Sequence, residues 1–160
     1  MKEYNLEDLK KDYELLMKKY SLPSFKEMNE TFDIEVLAEA KSEILLKRIR
    51  KVMSEKLASV LRILEALINP PNTSVFLFNI IKGFNEEDKK IINELYKKLN
   101  QIEIKIFGLE IEYDEKKEAD FIKNFMQSWK GIKGDLRKIE AAMERCSLSK
   151  SKKQEKSYFG

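Results

Sequence analysis

Two sets of charged side chains in this 160-residue chain have spacings that chemistry could use. Glu35, Glu39 and Glu43 recur every four residues, which on a helix stacks three carboxylates along one face. Clustered carboxylates can hold a divalent cation against phosphates. Lys47 continues the same row, however, so a solvated, ion-paired helix face is the expected role. Lys116, Lys123, Lys130 and Arg137 follow one another at intervals of seven, with Lys133 close by. On a helix of about 3.6 residues per turn these cations drift slowly around one side, and such a stripe could track nucleic-acid phosphates. Glu115, Glu118, Asp120 and Glu140 lie on the same segment and dilute its field. The densest basic cluster, Lys47-Arg48-Ile49-Arg50-Lys51, spreads its charges around most of a helix circumference with Ile49 pointing inward, so it forms no single patch.

The remaining candidates are apolar. Val75-Phe76-Leu77-Phe78 and Ile80-Ile81 are interrupted only by Asn79, with Phe84 just beyond. A helix apolar on every side must be buried on every side, so this segment is expected to plug the end of a helical core. If part of it stays outside, Phe76, Phe78 and Phe84 become a docking patch for a protein partner. Tyr158 and Phe159 follow a Lys-rich run, and paired aromatics in a solvated segment gain nothing unless they dock. They are therefore candidate partner contacts as well.

Composition removes much of the catalytic repertoire. With no His there is no imidazole base, no Ser-His or Cys-His nucleophile pair and no imidazole metal ligand. The single Cys146 cannot build a zinc site or an internal disulfide. No glycine-rich phosphate cradle occurs. Carboxylates, Lys, Tyr and Ser remain, and no enzyme, cofactor or metal is expected from them. The segment MKEYNLEDLKKD is charged throughout, and the longest apolar run is too short to span a bilayer. With one thiol, this pattern predicts a cytoplasmic protein with no membrane partner. The net charge of +3 is accounted for by residues 147–160, which hold four Lys and one Glu, so the rest of the chain is balanced.

The elements that must position these groups are all helical. Asn5 should cap a helix to Tyr20, and Ser24 with Glu27 forms a capping box for a short helix to about Thr31. Asp33 should cap the longest element, Ile34 to Asn69, which holds no Gly or Pro and stops at Pro70-Pro71. Thr73 or Ser74 opens the apolar segment, and Gly83 closes it. Asn85 opens a helix that should run to about Phe107, with Gly108 as its cap and an extended link beyond; alternation over 102–113 also admits a short hairpin. Asp114 should cap the last helix, to Cys146, whose stripe is Phe121, Phe125, Trp129, Ile132, Leu136, Ile139 and Met143.

The expected fold is all-α: an antiparallel bundle of three long helices with shorter covering helices, forming one domain over 1–146, then a disordered Lys/Ser-rich tail over 147–160. The expected function is a non-enzymatic interaction or scaffold protein, free to form homo-oligomers. The alternative is a nucleic-acid-associated accessory protein using Lys116, Lys123, Lys130, Lys133, Arg137 and the tail.

Overall fold

The computed structural model describes residues 4–70 and 73–158, with side chains as far as residue 149. Every regular element among the described residues is helical: α1 (Leu6–Tyr20), α2 (Phe25–Phe32), a 3-10 helix (Ile34–Glu39), α3 (Leu45–Ile68), α4 (Val75–Ile81), α5 (Glu86–Ile111) and α6 (Glu115–Tyr158). The chain divides into two compact units, one of residues 1–58 and 102–129, the other of residues 59–101 and 130–160.

The first unit begins with well-formed caps. The Asn5 side chain accepts the N–H groups of Glu7 and Asp8, and Ser24 exchanges hydrogen bonds with Glu27 in the capping box. Leu9 and Tyr13 of α1 and Met28 and Phe32 of α2 are buried. The Tyr13 hydroxyl donates to the Pro23 carbonyl at 2.6 Å, tying α1 to the loop that follows it. Phe32 lies 5.7 Å from Phe125 and 5.5 Å from Trp129 between ring centroids, so α2 covers the aromatic stripe of α6. Lys56 sits over both Phe32 and Trp129 and donates to the Thr31 carbonyl.

At the centre of this unit an ion-pair network joins three helices. Arg50 of α3 and Glu118 of α6 are fully buried, and Arg50 Nε donates to Glu118 Oε2 at 2.6 Å. Arg50 Nη1 donates to Glu110 Oε1 of α5 at 2.8 Å, and Lys47 approaches Glu110 Oε2 at 3.8 Å. The Arg50 bond holds the Glu110 carboxyl below its ordinary range, against the opposing effect of burial. Arg50 Nη2 and Glu118 Oε1 are buried without a hydrogen-bond partner.

Three expectations are corrected here. The stretch Ile34–Asn69 is not one helix. Ile34 and Leu37 are buried in a 3-10 helix, Ala40 is extended, and α3 begins only at Leu45. The backbone around the break is satisfied by side chains instead of helix bonds: Arg48 donates to the Ala40 carbonyl at 2.5 Å, and Ser42 Oγ accepts the Ile44 N–H at 3.2 Å. Asp33 does not cap with its side chain. It closes α2 in the left-handed conformation, its N–H bonded to the Asn29 carbonyl. Gly108 is not a cap either, because α5 passes through it to Ile111 and no glycine among the described residues has a positive φ. Buried Ile106 and Leu109 on either side hold it in helical register.

The second unit is built from Leu64 and Leu67 of α3, Ile80 of α4, Ile92, Leu95 and Leu99 of α5, and Ile132, Ile139, Ala142 and Cys146 of α6, all buried. Asn85 and Asp88 exchange hydrogen bonds at 2.8 and 2.9 Å to open α5, and Arg145 of α6 donates to Asp88 at 2.5 Å. Just after α4, a Cβ at Gly83 would stand 2.8 Å from Cys146 Sγ, so a glycine is required for this close approach. The end of α6 moves from Cys146 to Tyr158. Ser, Lys, Gln and Glu carry no apolar stripe there, but none of them stops a helix already nucleated upstream.

Candidate functional site

The segment expected to be a plug is only half buried. Ser74 Oγ accepts the Leu77 N–H at 3.2 Å and starts α4. Its last turn is anchored, with Ile80 4% exposed and Phe84 6% exposed. Its first turn stands in solvent: Val75 is 77% exposed and Phe76 67%. Phe78 is 39% exposed, with Lys82 Nζ 4.5 Å from its ring centroid. Of the candidate contacts, then, Phe76 and Phe78 are on the surface and Phe84 belongs to the core. Tyr158 closes α6, its side chain lies outside the described residues, and Phe159 lies outside them altogether. Two hollows flank α4. One, about 380 Å³, is lined by Ile80, Met143, Glu144, Ser147 and Leu148. The other, about 360 Å³, is lined by Pro70, Thr73, Val75 and Phe78.

The cations of α6 have mixed fates. In the first unit Lys116 is exposed, whereas Lys123 is half-buried and donates to the Tyr20 carbonyl at 2.9 Å. In the second, Lys130 and Lys133 are exposed, and Arg137 is engaged by Glu140 at 2.7 Å. Two of the five are thus held by partners within the chain.

The carboxylate ladder does not form. Glu35 and Glu39 are on the 3-10 helix, and Glu43 lies beyond the break. Glu43 instead lines a hollow of about 250 Å³ with Asp12, Glu115 and Tyr113. Glu115 Oε1 already accepts from Lys19 Nζ at 2.7 Å and Tyr20 Oη at 2.6 Å, and Asp12 accepts from Tyr4 at 3.0 Å. Lys19, then Tyr20, hold the Glu115 carboxyl below its ordinary range. Among the described residues no group of three or more Asp, Glu or Cys is placed to hold a metal ion. No helix among them is long and apolar enough to cross a membrane.

One surface was not anticipated. In the last turns of α5, Ile104 is 70% exposed, Phe107 69% and Ile111 73%. Beside them a cleft of about 580 Å³ is floored by Leu109, Phe121 and Phe125 and edged by Lys105, Glu112, Lys117 and Asp120. The signal was present in the sequence, since 104, 107 and 111 have helical spacing. Gly108, which has the type of a cap, stands in the middle of that row. The spacing also sets Arg50 on one helix face with Leu46, Met53 and Leu57, although nothing local names its partner.

No family model matches the chain, and neither the curated proteins nor the solved structures yield a significant match to it.

Proposed function

We propose that this chain is a non-enzymatic helical interaction protein that docks another protein on the first turn of α4. The observation that carries the reading is the exposure of Val75 and Phe76 on a helix whose other end is anchored in the core. Full burial of a Val or Phe side chain is worth about 1.5–3 kcal/mol, so covering these two, each about two-thirds exposed or more, would stabilise a complex by roughly 2–4 kcal/mol. The two hollows flanking the helix offer room for a partner's side chains. The buried thiol of Cys146 suits a reducing compartment such as the cytoplasm.

A photo-cross-linking residue at position 76, in the native cell, tests this. A defined protein adduct is expected at 76 and none with the cross-linker at the exposed polar position Lys90. Val75→Asp with Phe76→Asp should abolish association while leaving the helical melting curve unchanged. An association that survives this double substitution would overturn the proposal.

Nucleic-acid contact through α6 is the second reading, supported by Lys130 and Lys133, which are exposed and have no ion pair among the described residues. Its test is affinity for mixed nucleic acid at two salt concentrations. Steep salt dependence supports it, and no binding at low salt ends it.

A further inference from the structure

We infer that two copies of this chain associate through the last turns of α5, crossing about a two-fold axis that passes between Phe107 and Gly108. This surface is distinct from α4, and the inference does not depend on the function proposed above.

Ile104, Phe107 and Ile111 are each about 70% exposed and follow one another at spacings of three and four, so they form one face of α5. Earlier on that same face the helix carries Asn93, Lys97 and Gln101, all exposed and polar. The face therefore changes character at Ile104, and the change is confined to the stretch beside the cleft. Solvent-facing apolar groups gathered in one place on a soluble protein mark a contact surface.

Charge selects a second copy as the occupant. Lys105, Glu112, Lys117 and Asp120 edge the cleft, all are exposed, and none forms an ion pair among the described residues. The rim thus carries two cations and two anions. A symmetric interface applies one patch to itself, so a rim that holds both signs can pair with its own copy, whereas a rim of one sign repels it. An anionic membrane or an acidic partner would call for a rim of one sign, which this is not.

The order of residues along α5 matches such an axis. In an antiparallel crossing each residue faces the one equally far beyond the axis. An axis between 107 and 108 sets Ile104 against Ile111 of the second copy and Phe107 over Gly108 of the second copy. It brings Lys105 to within about one turn of Glu112 on the second copy, and by symmetry does so twice. Within one chain Lys105 and Glu112 are too far apart along the helix to pair. Gly108 is exposed, and a Cβ built on it meets nothing within 4 Å, so the isolated chain has no packing need for glycine there. A bare position does let a partner's ring lie flat on the helix backbone.

Sedimentation velocity on the full chain across a concentration series tests the inference. The expected result is a reversible monomer–dimer equilibrium. Phe107→Asp should weaken it by at least about tenfold, as removal of a central aromatic anchor does, with circular dichroism unchanged because Phe107 is exposed. Lys105→Glu alone should also weaken it, since it sets Glu against Glu at both ends of the crossing. Lys105→Glu combined with Glu112→Lys should restore it. A chain that stays monomeric throughout overturns the inference. So does a dimer indifferent to Phe107→Asp, or one in which the double charge reversal is no tighter than the single.

Discussion

Glu118→Gln should be among the most damaging single substitutions in this protein, although it changes one atom. Arg50 and Glu118 are both 0% exposed, and their bond is 2.6 Å long. Neutralising Glu118 leaves a buried guanidinium whose remaining charged partner is Glu110, with a side chain 42% exposed. Breaking a buried pair by removing one member costs about 3–5 kcal/mol, and Glu110 keeps this case near the lower end, about 3 kcal/mol. A Coulomb estimate agrees: unit charges near 4 Å interact by about 4 kcal/mol at an effective dielectric constant of about 20. Against a total stability of about 5–15 kcal/mol this is a large fraction. Removing both charges is a different perturbation. Arg50→Met with Glu118→Leu abolishes the desolvation penalty of both ions and the two unpartnered atoms, Arg50 Nη2 and Glu118 Oε1. The double variant should lie within about 1–2 kcal/mol of the parent. Urea denaturation followed by far-UV circular dichroism measures both. A Glu118→Gln variant within about 0.5 kcal/mol of the parent, or a double variant as unstable as the single, would refute the reasoning.

The remaining expectations concern single positions. Burial, and then the Glu27 charge, push the Tyr13 hydroxyl well above its ordinary value of 10.0. Its folded pKa is raised, so its contribution is complete below pH 10 and is lost as pH rises above it. Tyr13→Phe should lose about 1 kcal/mol at neutral pH through the Pro23 bond and flatten the alkaline fall in a pH series of melting temperatures. Gly83→Ala should cost about 1–3 kcal/mol, because its Cβ would stand 2.8 Å from Cys146 Sγ and 3.0 Å from Cys146 Cβ. Cys146→Ala should return part of that in the same denaturation assay, since only the sulfur is removed. Gly131→Ala and Gly134→Ala should each stabilise by about 0.5–1 kcal/mol and raise the melting temperature, because both are helical and a Cβ there meets nothing within 4 Å.

The helical class and most helix starts were legible in the order of residues alone. Asn5, Ser24 with Glu27, Ser74, Asn85 with Asp88 and Asp114 all cap as their types and spacing require. A cap is a hydrogen bond across two or three residues, so its partners are adjacent in the chain and legible in it. Five members of the expected α6 stripe, Phe121, Phe125, Trp129, Ile132 and Ile139, are buried, and they were legible for a related reason, because periodicity is a property of one helix. Where elements meet, that information runs out. Local propensity favours helix through Ala40–Glu43, yet the burial of Ile34 and Leu37 and the reach of Arg48 back to Ala40 break it. Gly108 has the type of a cap and is held in helix by buried neighbours at 106 and 109. Phe76 and Phe84 are both aromatic residues of one apolar stretch, and only packing leaves the first in solvent and the second in the core. Arg50 was placed inside by Glu118, a residue 68 positions away. Each of these outcomes depends on what packs against the segment, from a few residues away at Ala40 and Gly108 to 68 positions away at Arg50, and that packing is decided only when the chain has folded.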